Sequence, residues 1–336
     1  MLCQGVEMND KVSVIIPCFN GEQYIDNSIY SVYMQDYDSV ELIVVDDGST
    51  DRSREIINSW IPKFERKGFT LQYVYQDNRG SGGATDTGLK HVTGVYLTLL
   101  DADDIYLQGA ISKKVQVLAD NPDITIVRSN GWIVSEEKRW LFVFDKVEKE
   151  KKDIFEDLLY GRTNNWAGSY MVRTKDLFEF YKGRTIYPSR GGQNLQILLP
   201  MAYKKKAAFI DEPLMEYIKR DNSLSSNMVD GHAHLAKSLE NAKVYKTIRQ
   251  TVLYQIADDK EEREYFSLVI EKGYWNLLFM IALGKGEKEL LRESYQKMKA
   301  LGDIDIQKTI DYYKVVFPPV AFCLRGLRKA HVLKDH

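Results

Sequence analysis

The sequence predicts an α/β fold built on a mainly parallel sheet, followed by a helical module. Three observations carry this. From Val12 to about Asp104, short apolar runs alternate with segments whose apolar residues recur at helical spacing. Polar residues cluster at the carboxyl end of each apolar run, four times in succession. From about Asp230 onward, helical spacing continues alone.

The elements follow in order. VSVIIP is a buried strand stopping at Pro17, where Asn20 and Gly21 turn the chain. Tyr24, Ile25, Ile29, Val32 and Tyr33 then recur as one face of a helix. ELIVVDD is the second strand, and Ser49 to Asp51 offer an N-cap to the helix in RSREIINSW. LQYVYQ is the third strand, NRGSGGATDTGLKHV a glycine-rich loop entering a helix, and VYLTLL the fourth strand. Repeated β-α units imply parallel neighbours with right-handed crossovers. In such sheets ligands bind beyond the carboxyl ends of the strands. Further on, ITIVRSNGWIVS and WLFVFD are expected to pair. Asp153 to Tyr160 and Leu195 to Tyr203 read as helices, and AAFIDEPLMEYI as extended chain broken at Pro213. Leu235, Leu239, Ala242, Tyr245 and Ile248 open the helical module.

The bulk numbers narrow the function classes. The 336 residues are 44% hydrophobic and 28% charged, ordinary for a globular protein with a core. A formal net charge of −2 gives no basic field for nucleic acid, so no nucleic-acid partner is expected. Cys3, Cys18 and Cys323 form neither a disulfide framework nor a CxxC site, which fits a reducing compartment. The first residues, MLCQGVEMNDK, lack the pattern of a signal peptide. The apolar runs Leu277 to Leu283 and Val315 to Leu324 are too short to span a bilayer. A cytoplasmic location is expected, one that leaves the inner face of a membrane open to it.

LTLLDADD poses the chemical question. Asp101, Asp103 and Asp104 end a strand within four positions, and like charges this close raise one another's pKa. Water, basic side chains or a cation must compensate.

VSVIIPCFN, VVDDGSTD, NRGSGGATDTGL and LLDADD, in this order and spacing, resemble the family 2 glycosyltransferases of GT-A fold, a Rossmann-like mainly parallel sheet flanked by helices. The resemblance covers roughly residues 10 to 228. It implies transfer of a sugar from a nucleotide-sugar to an acceptor hydroxyl with inversion, supported by Mn²⁺ or Mg²⁺. Asp47, beside Asp46, matches the carboxylate that accepts from the nucleotide base, and an acceptor-only group suits a uracil imide N–H. Pro17, Phe19 and Asn20 match the loop that walls the base pocket. Asn78 and Gly80 lie where backbone N–H groups can approach phosphate. Asp101, Ala102 and Asp103 match the DxD motif, with Asp103 as metal ligand and Asp101 near the ribose or the metal's water shell. A UDP-sugar is the expected donor. The cation would then answer the question posed by the three carboxylates, since hard cations take oxygen ligands.

The chain departs from the family in two places. Asp86 stands where members often carry Asn. Gln193 and Asn194, in SRGGQNLQILLP, stand where members carry the Glu-Asp pair that supplies the general base. An amide is no base at neutral pH. Three readings stay open. A nearby acid, Asp211 or Glu212, serves instead; Gln193 and Asn194 orient an acceptor whose proton leaves by another route; or the protein binds a nucleotide-sugar without transferring it. Capping of the following helix would be their plain structural role. Arg220 is a candidate for the diphosphate or an ordinary surface residue, and His232, in an HxH with His234, for the metal or for no ligand at all.

The expected organisation is 1–110 for the nucleotide-sugar half, 111–228 for the acceptor half and 229–336 for a helical module. Its last segment, KVVFPPVAFCLRGLRKAHVLK, is basic and partly apolar, as a final packed helix or a peripheral membrane contact would be. The expected function is transfer of one sugar to a saccharide or lipid-linked glycan in surface polysaccharide synthesis. The alternative is a catalytically inert nucleotide-sugar-binding module.

Overall fold

Val12, Val14 and Ile16 alternate with Ser13 and Ile15, and all five are buried, which makes β1 (Val12–Cys18) an inner strand covered on both faces. In this computed structural model, which describes residues 10–143, 145–163, 166–219, 235–320 and 322–323, the chain divides into two compact units. One is residues 1–158 with 163–219, the other 159–162 with 220–336.

The first unit begins with three β-α repeats. After β1 come α1 (Ile25–Tyr33), β2 (Val40–Asp46), α2 (Ser53–Lys67), β3 (Thr70–Tyr75), α3 (Gly80–Leu89) and β4 (Tyr96–Leu99). β1 pairs in parallel with β2 and β4, and β2 with β3. There follow β5 (Ile105–Tyr106), α4 (Ser112–Asp120), β6 (Ile124–Val134), β7 (Arg139–Leu141), α5 (Lys146–Glu150), α6 (Phe155–Tyr160), β8 (Tyr170–Arg173), α7 (Thr174–Phe180), α8 (Gln193–Ala202) and β9 (Lys206–Ile218). The sheet order is β3-β2-β1-β4-β8-β6-β9-β5, with β7 on β6. β8 runs antiparallel to both β4 and β6, so the parallel pattern of the first half is interrupted there. Val14, Ile16, Leu42 and Val44 pack with Ile29, Val32, Trp60 and Phe64 in the main core.

Two sequence expectations are refined. Pro213 does not end the strand: β9 continues through it, and the register against β6 slips between Ser129 and Asn130, whose partners are Ile210 and Pro213. A residue with no backbone N–H is tolerated where the ladder is already irregular. The glycines of NRGSGG are not a loop before a helix, because α3 starts at Gly80 and contains them. Their low helix propensity is overridden by close packing.

The second unit holds α9 (Leu235–Ile256), α10 (Lys260–Lys285), α11 (Lys288–Ala300) and α12 (Ile306–Val316). Phe279, Ala282, Leu291 and Met298 form a core there. Asp259 and Asp305 cap α10 and α12 by accepting from Glu262 N and Lys308 N. Among the described residues one helix, α10, is long and apolar enough to cross a membrane by length and composition. Individual apolar runs inside it are short, yet its residues Phe279, Ile281 and Ala282 are buried within this unit.

Candidate functional site

The site is laid out along the carboxyl ends of β1 to β4. β2 ends at Asp46, whose carboxylate accepts from Ser49 N (2.8 Å) and from the Tyr73 hydroxyl (2.7 Å). That phenol is driven up by burial first and by this hydrogen bond second. Asp47 follows, only 2% exposed. Its Oδ1 accepts from Gln76 Nε2 (2.6 Å) and Arg79 N (2.8 Å), and its Oδ2 from Gly80 N (2.7 Å). A carboxylate at the amino end of α3 satisfies donors that a helix leaves open and complements its dipole. The amides that open the glycine-rich helix, those of Arg79 and Gly80, are therefore directed at Asp47.

The loop after β1 is laced to the loop after β2. Asn20, in a left-handed conformation at φ 49°, accepts from Thr50 N (2.9 Å) and donates through its own N–H to Ser49 Oγ (2.9 Å). Gly21 N donates to Ser53 Oγ (2.8 Å). Pro17 lies within β1, and Phe19 stands 53% exposed at the rim.

Leu100 N donates to Ile15 O (3.0 Å), which seats the acidic turn beside β1, and Asp104 N closes the turn onto Asp101 O (3.0 Å). Asp101, Ala102 and Asp103 are half-buried, whereas Asp104 is fully buried. Asp104 Oδ1 accepts from Ile218 N (3.0 Å), and its Oδ2 has no hydrogen-bond partner among the described residues. Burial, then the neighbouring Asp101, raise its pKa well above the ordinary range. Burial thus favours the protonated form of Asp104, which relieves part of the like-charge problem. Asp101 and Asp103 are left near the surface with oxygen donors only, a set suited to a hard cation held by one or two carboxylates and a substrate's phosphates. Among the described residues no three His, Cys, Asp or Glu side chains converge on a closed metal cage.

The opposite wall is the start of α8. Gly192, left-handed at φ 75°, is the N-cap, and no side chain caps the helix. Gln193 is buried and accepts from Ser81 Oγ (3.2 Å), and Asn194 Oδ1 accepts from the Tyr170 hydroxyl (2.8 Å). Tyr170 is fully buried. Its phenol is pushed up by burial and then by Asp101, which ties this wall electrostatically to the acidic turn. A Cβ on Gly80 would lie 2.4 Å from Arg190 O, and one on Gly82 would lie 2.3 Å from Ser189 O. Only glycine lets the segment before α8 approach so closely.

The other acids have partners. Asp211 accepts from Lys149 Nζ (2.8 Å) and Asn130 Nδ2 (3.1 Å), and these bonds hold it below the usual carboxylate range. Glu212 pairs with Lys113. Asp86 accepts from Ile186 N (3.0 Å) and Lys90 Nζ (3.1 Å), with Arg79 at 3.7 Å. Tyr170 and Gln76 were not anticipated from the sequence. β8 is too short to signal itself, and Gln76 directly follows β3 without belonging to a motif. Arg220, His232 and His234 lie outside the described residues, as do residues 324–336.

The profile of Glycosyl transferase family 2 matches residues 13–181. Glycosyltransferase GlyA of Streptococcus pneumoniae serotype 4 is 27% identical over 230 residues, covering 65% of this chain and 32% of its own. An uncharacterized glycosyltransferase of Rickettsia prowazekii is 34% identical over 148 residues, 43% of this chain and 44% of its own. The chain thus spans 32% and 44% of the length of these two relatives. Glycosyltransferase GlyG of the same Streptococcus is 23% identical over 303 residues, 82% of this chain and 96% of its own. Among solved structures, S. aureus TarS 1-349 in complex with UDP-GlcNAc superposes with a TM-score of 0.62 at 13% identity, covering 96% of this chain and 92% of that one. Mannosyltransferase PcManGT from Pyrobaculum calidifontis, in complex with GDP-Man and Mn²⁺, gives 0.51 at 17% identity, covering 92% and 88%.

Proposed function

Because this chain belongs to glycosyl transferase family 2 and has the GT-A fold, we propose that it transfers a sugar from a UDP-sugar to a saccharide or lipid-linked glycan acceptor, with inversion, in surface polysaccharide synthesis. The observation that carries this is the alignment of four polar clusters on adjacent strand ends: Pro17 to Asn20, Asp46 and Asp47, Asn78 to Gly80, and Asp101 to Asp104.

In this reading Phe19 packs on the base and the Asp47 region receives its polar edge. Asp101 and Asp103 hold Mn²⁺ or Mg²⁺, which when bound offsets charge on the departing diphosphate. Asn194, held by Tyr170, orients the acceptor hydroxyl. As the acceptor oxygen bonds to the anomeric carbon, the bond from that carbon to the diphosphate oxygen breaks and its electron pair leaves with the diphosphate. Gln193 and Asn194 cannot take the acceptor's proton, and Asp211 is already held acidic by Lys149. With Asp211 and Glu212 each engaged by a lysine, this reading sends the proton to a phosphate oxygen of the donor or to water, with either of those acids as the alternative acceptor. Gln193 and Asn194 in place of a carboxylate also favour a second reading, an inert nucleotide-sugar-binding module.

Thermal unfolding with UDP, GDP, CMP and dTDP, with and without Mn²⁺, tests the site, because a ligand that binds only the folded state raises its apparent stability. UDP is expected to stabilise the wild type with metal and to lose that metal-dependent part in Asp103→Asn. No shift with any nucleotide would overturn the reading. Turnover of a donor panel then separates the enzyme from the binding module.

A further inference from the structure

α1 carries two buried polar side chains, Ser28 and Ser31, whose spacing of three residues puts them on one face, and a third, Gln35, is buried two residues past its end. A buried face of a helix is ordinarily apolar, and serine inside a helix is a weaker former than alanine. These three side chains all reach the segment that carries the acidic turn. Ser28 Oγ lies 2.7 Å from Ala102 O and 2.8 Å from Asp104 O. Its single proton is shared between the carbonyls on either side of Asp103. Ser31 Oγ accepts from Tyr106 N (3.1 Å) and donates back to Ser28 O (2.7 Å). Gln35 accepts from Ile111 N (3.2 Å) and donates to Leu107 O (3.1 Å) and Ser31 O (3.0 Å).

We infer that Ser28 is a positioning residue for Asp103, with Ser31 and Gln35 as the rest of a clamp that sets the acidic turn in its cation-binding shape. This rests on the proposed role of Asp103 in holding Mn²⁺ or Mg²⁺. Ser28 holds the peptide unit before Asp103 through Ala102 O and the unit after Asp104 through Asp104 O, so the backbone is pinned on both sides of the Asp103–Asp104 pair and the direction of the Asp103 Cα–Cβ bond follows from it. Since α1 also starts just beyond the Pro17 to Asn20 loop, one helix relates the base-binding end of the site to the metal-binding turn.

The test uses the full chain with Ser28→Ala, and Ser59→Ala as the control, an exposed hydroxyl on α2 bonded to Ile56 O. Hydrogen exchange of residues 101–107 is measured without ligand, and the Mn²⁺ midpoint of the UDP-dependent thermal shift is measured beside it. Ser28→Ala is expected to speed exchange in that segment and raise the Mn²⁺ midpoint about tenfold, the equivalent of one buried hydrogen bond. Any shift produced by UDP alone stays as in wild type. Ser31→Ala, a second variant, is expected to speed exchange at 105–107 while moving the Mn²⁺ midpoint less, because the carbonyls beside Asp103 stay tied. Unchanged exchange in Ser28→Ala overturns the clamp, and faster exchange with an unmoved Mn²⁺ midpoint overturns its bearing on the cation. A wild type whose UDP shift ignores Mn²⁺ defeats the proposed metal site itself, and this inference falls with it.

Discussion

Lys114 is fully buried on α4, with its ammonium 2.9 Å from Gly168 O and burial bringing its pKa down to about 7. In the unfolded chain a lysine keeps its proton to about pH 10.4. Between those values the unfolded state binds more protons, so native stability rises with pH across the window and is lowest below it. Urea unfolding of wild type and Lys114→Met should show the wild type gaining on the variant from pH 7 to pH 10, by on the order of a few kcal/mol. Parallel curves would mean that Lys114 stays charged in the native state. Asn194 makes the second prediction at this scale. Neither it nor Gln193 caps α8, since Gly192 does that. Asn194→Ala should lower turnover far more than UDP binding, and Tyr170→Phe should follow it in the same direction, as initial-rate kinetics beside a thermal shift will show. Equal modest losses in both would point to a purely structural role.

At the scale of elements, β1 to β4 were legible because buried parallel strands read as apolar runs and because motif residues gather where those runs stop. β8 was not. Four residues placed antiparallel between β4 and β6 have no periodicity to detect, and their position is set by partners far away in sequence. The same limit hid the surroundings of Gln193 and Asn194, whose hydrogen bonds come from Ser81 and Tyr170. The extent of α3 is hidden for another reason, since glycine's local preference is for loop while tertiary packing requires its missing side chain. Gly82→Ala tests this. The gain in helix propensity is about 1 kcal/mol, against about 1–3 kcal/mol for forcing a methyl into the Ser189 carbonyl. A net loss of stability is expected in urea unfolding, and a gain would show that the 189–191 backbone moves aside at no cost.

At the scale of the whole molecule, a net charge of −2 provides no general attraction to anionic lipid, so membrane contact has to come from a local surface. Phe317 and Phe322 are 55% and 81% exposed beyond α12, and the sequence turns basic at Arg325, Arg328 and Lys329. If the acceptor is lipid-linked, full-length protein should float with anionic liposomes and protein cut after Val316 should not, while both stay unbound to neutral vesicles. Equal flotation of the two forms would remove this segment from the account. The seam between α3 and the segment before α8 bears on how such a protein can diversify. Ser189 and Arg190 carbonyls rest directly on Gly80 and Gly82, and Gly80 N is bound by Asp47. Under the proposed function, a sequence change that reshapes residues 189–193 for a new acceptor would be mechanically joined to the backbone beside the donor's clusters. New acceptor ranges are then more accessible through surfaces away from this seam, and exchanges across it need compensating changes on both sides at once.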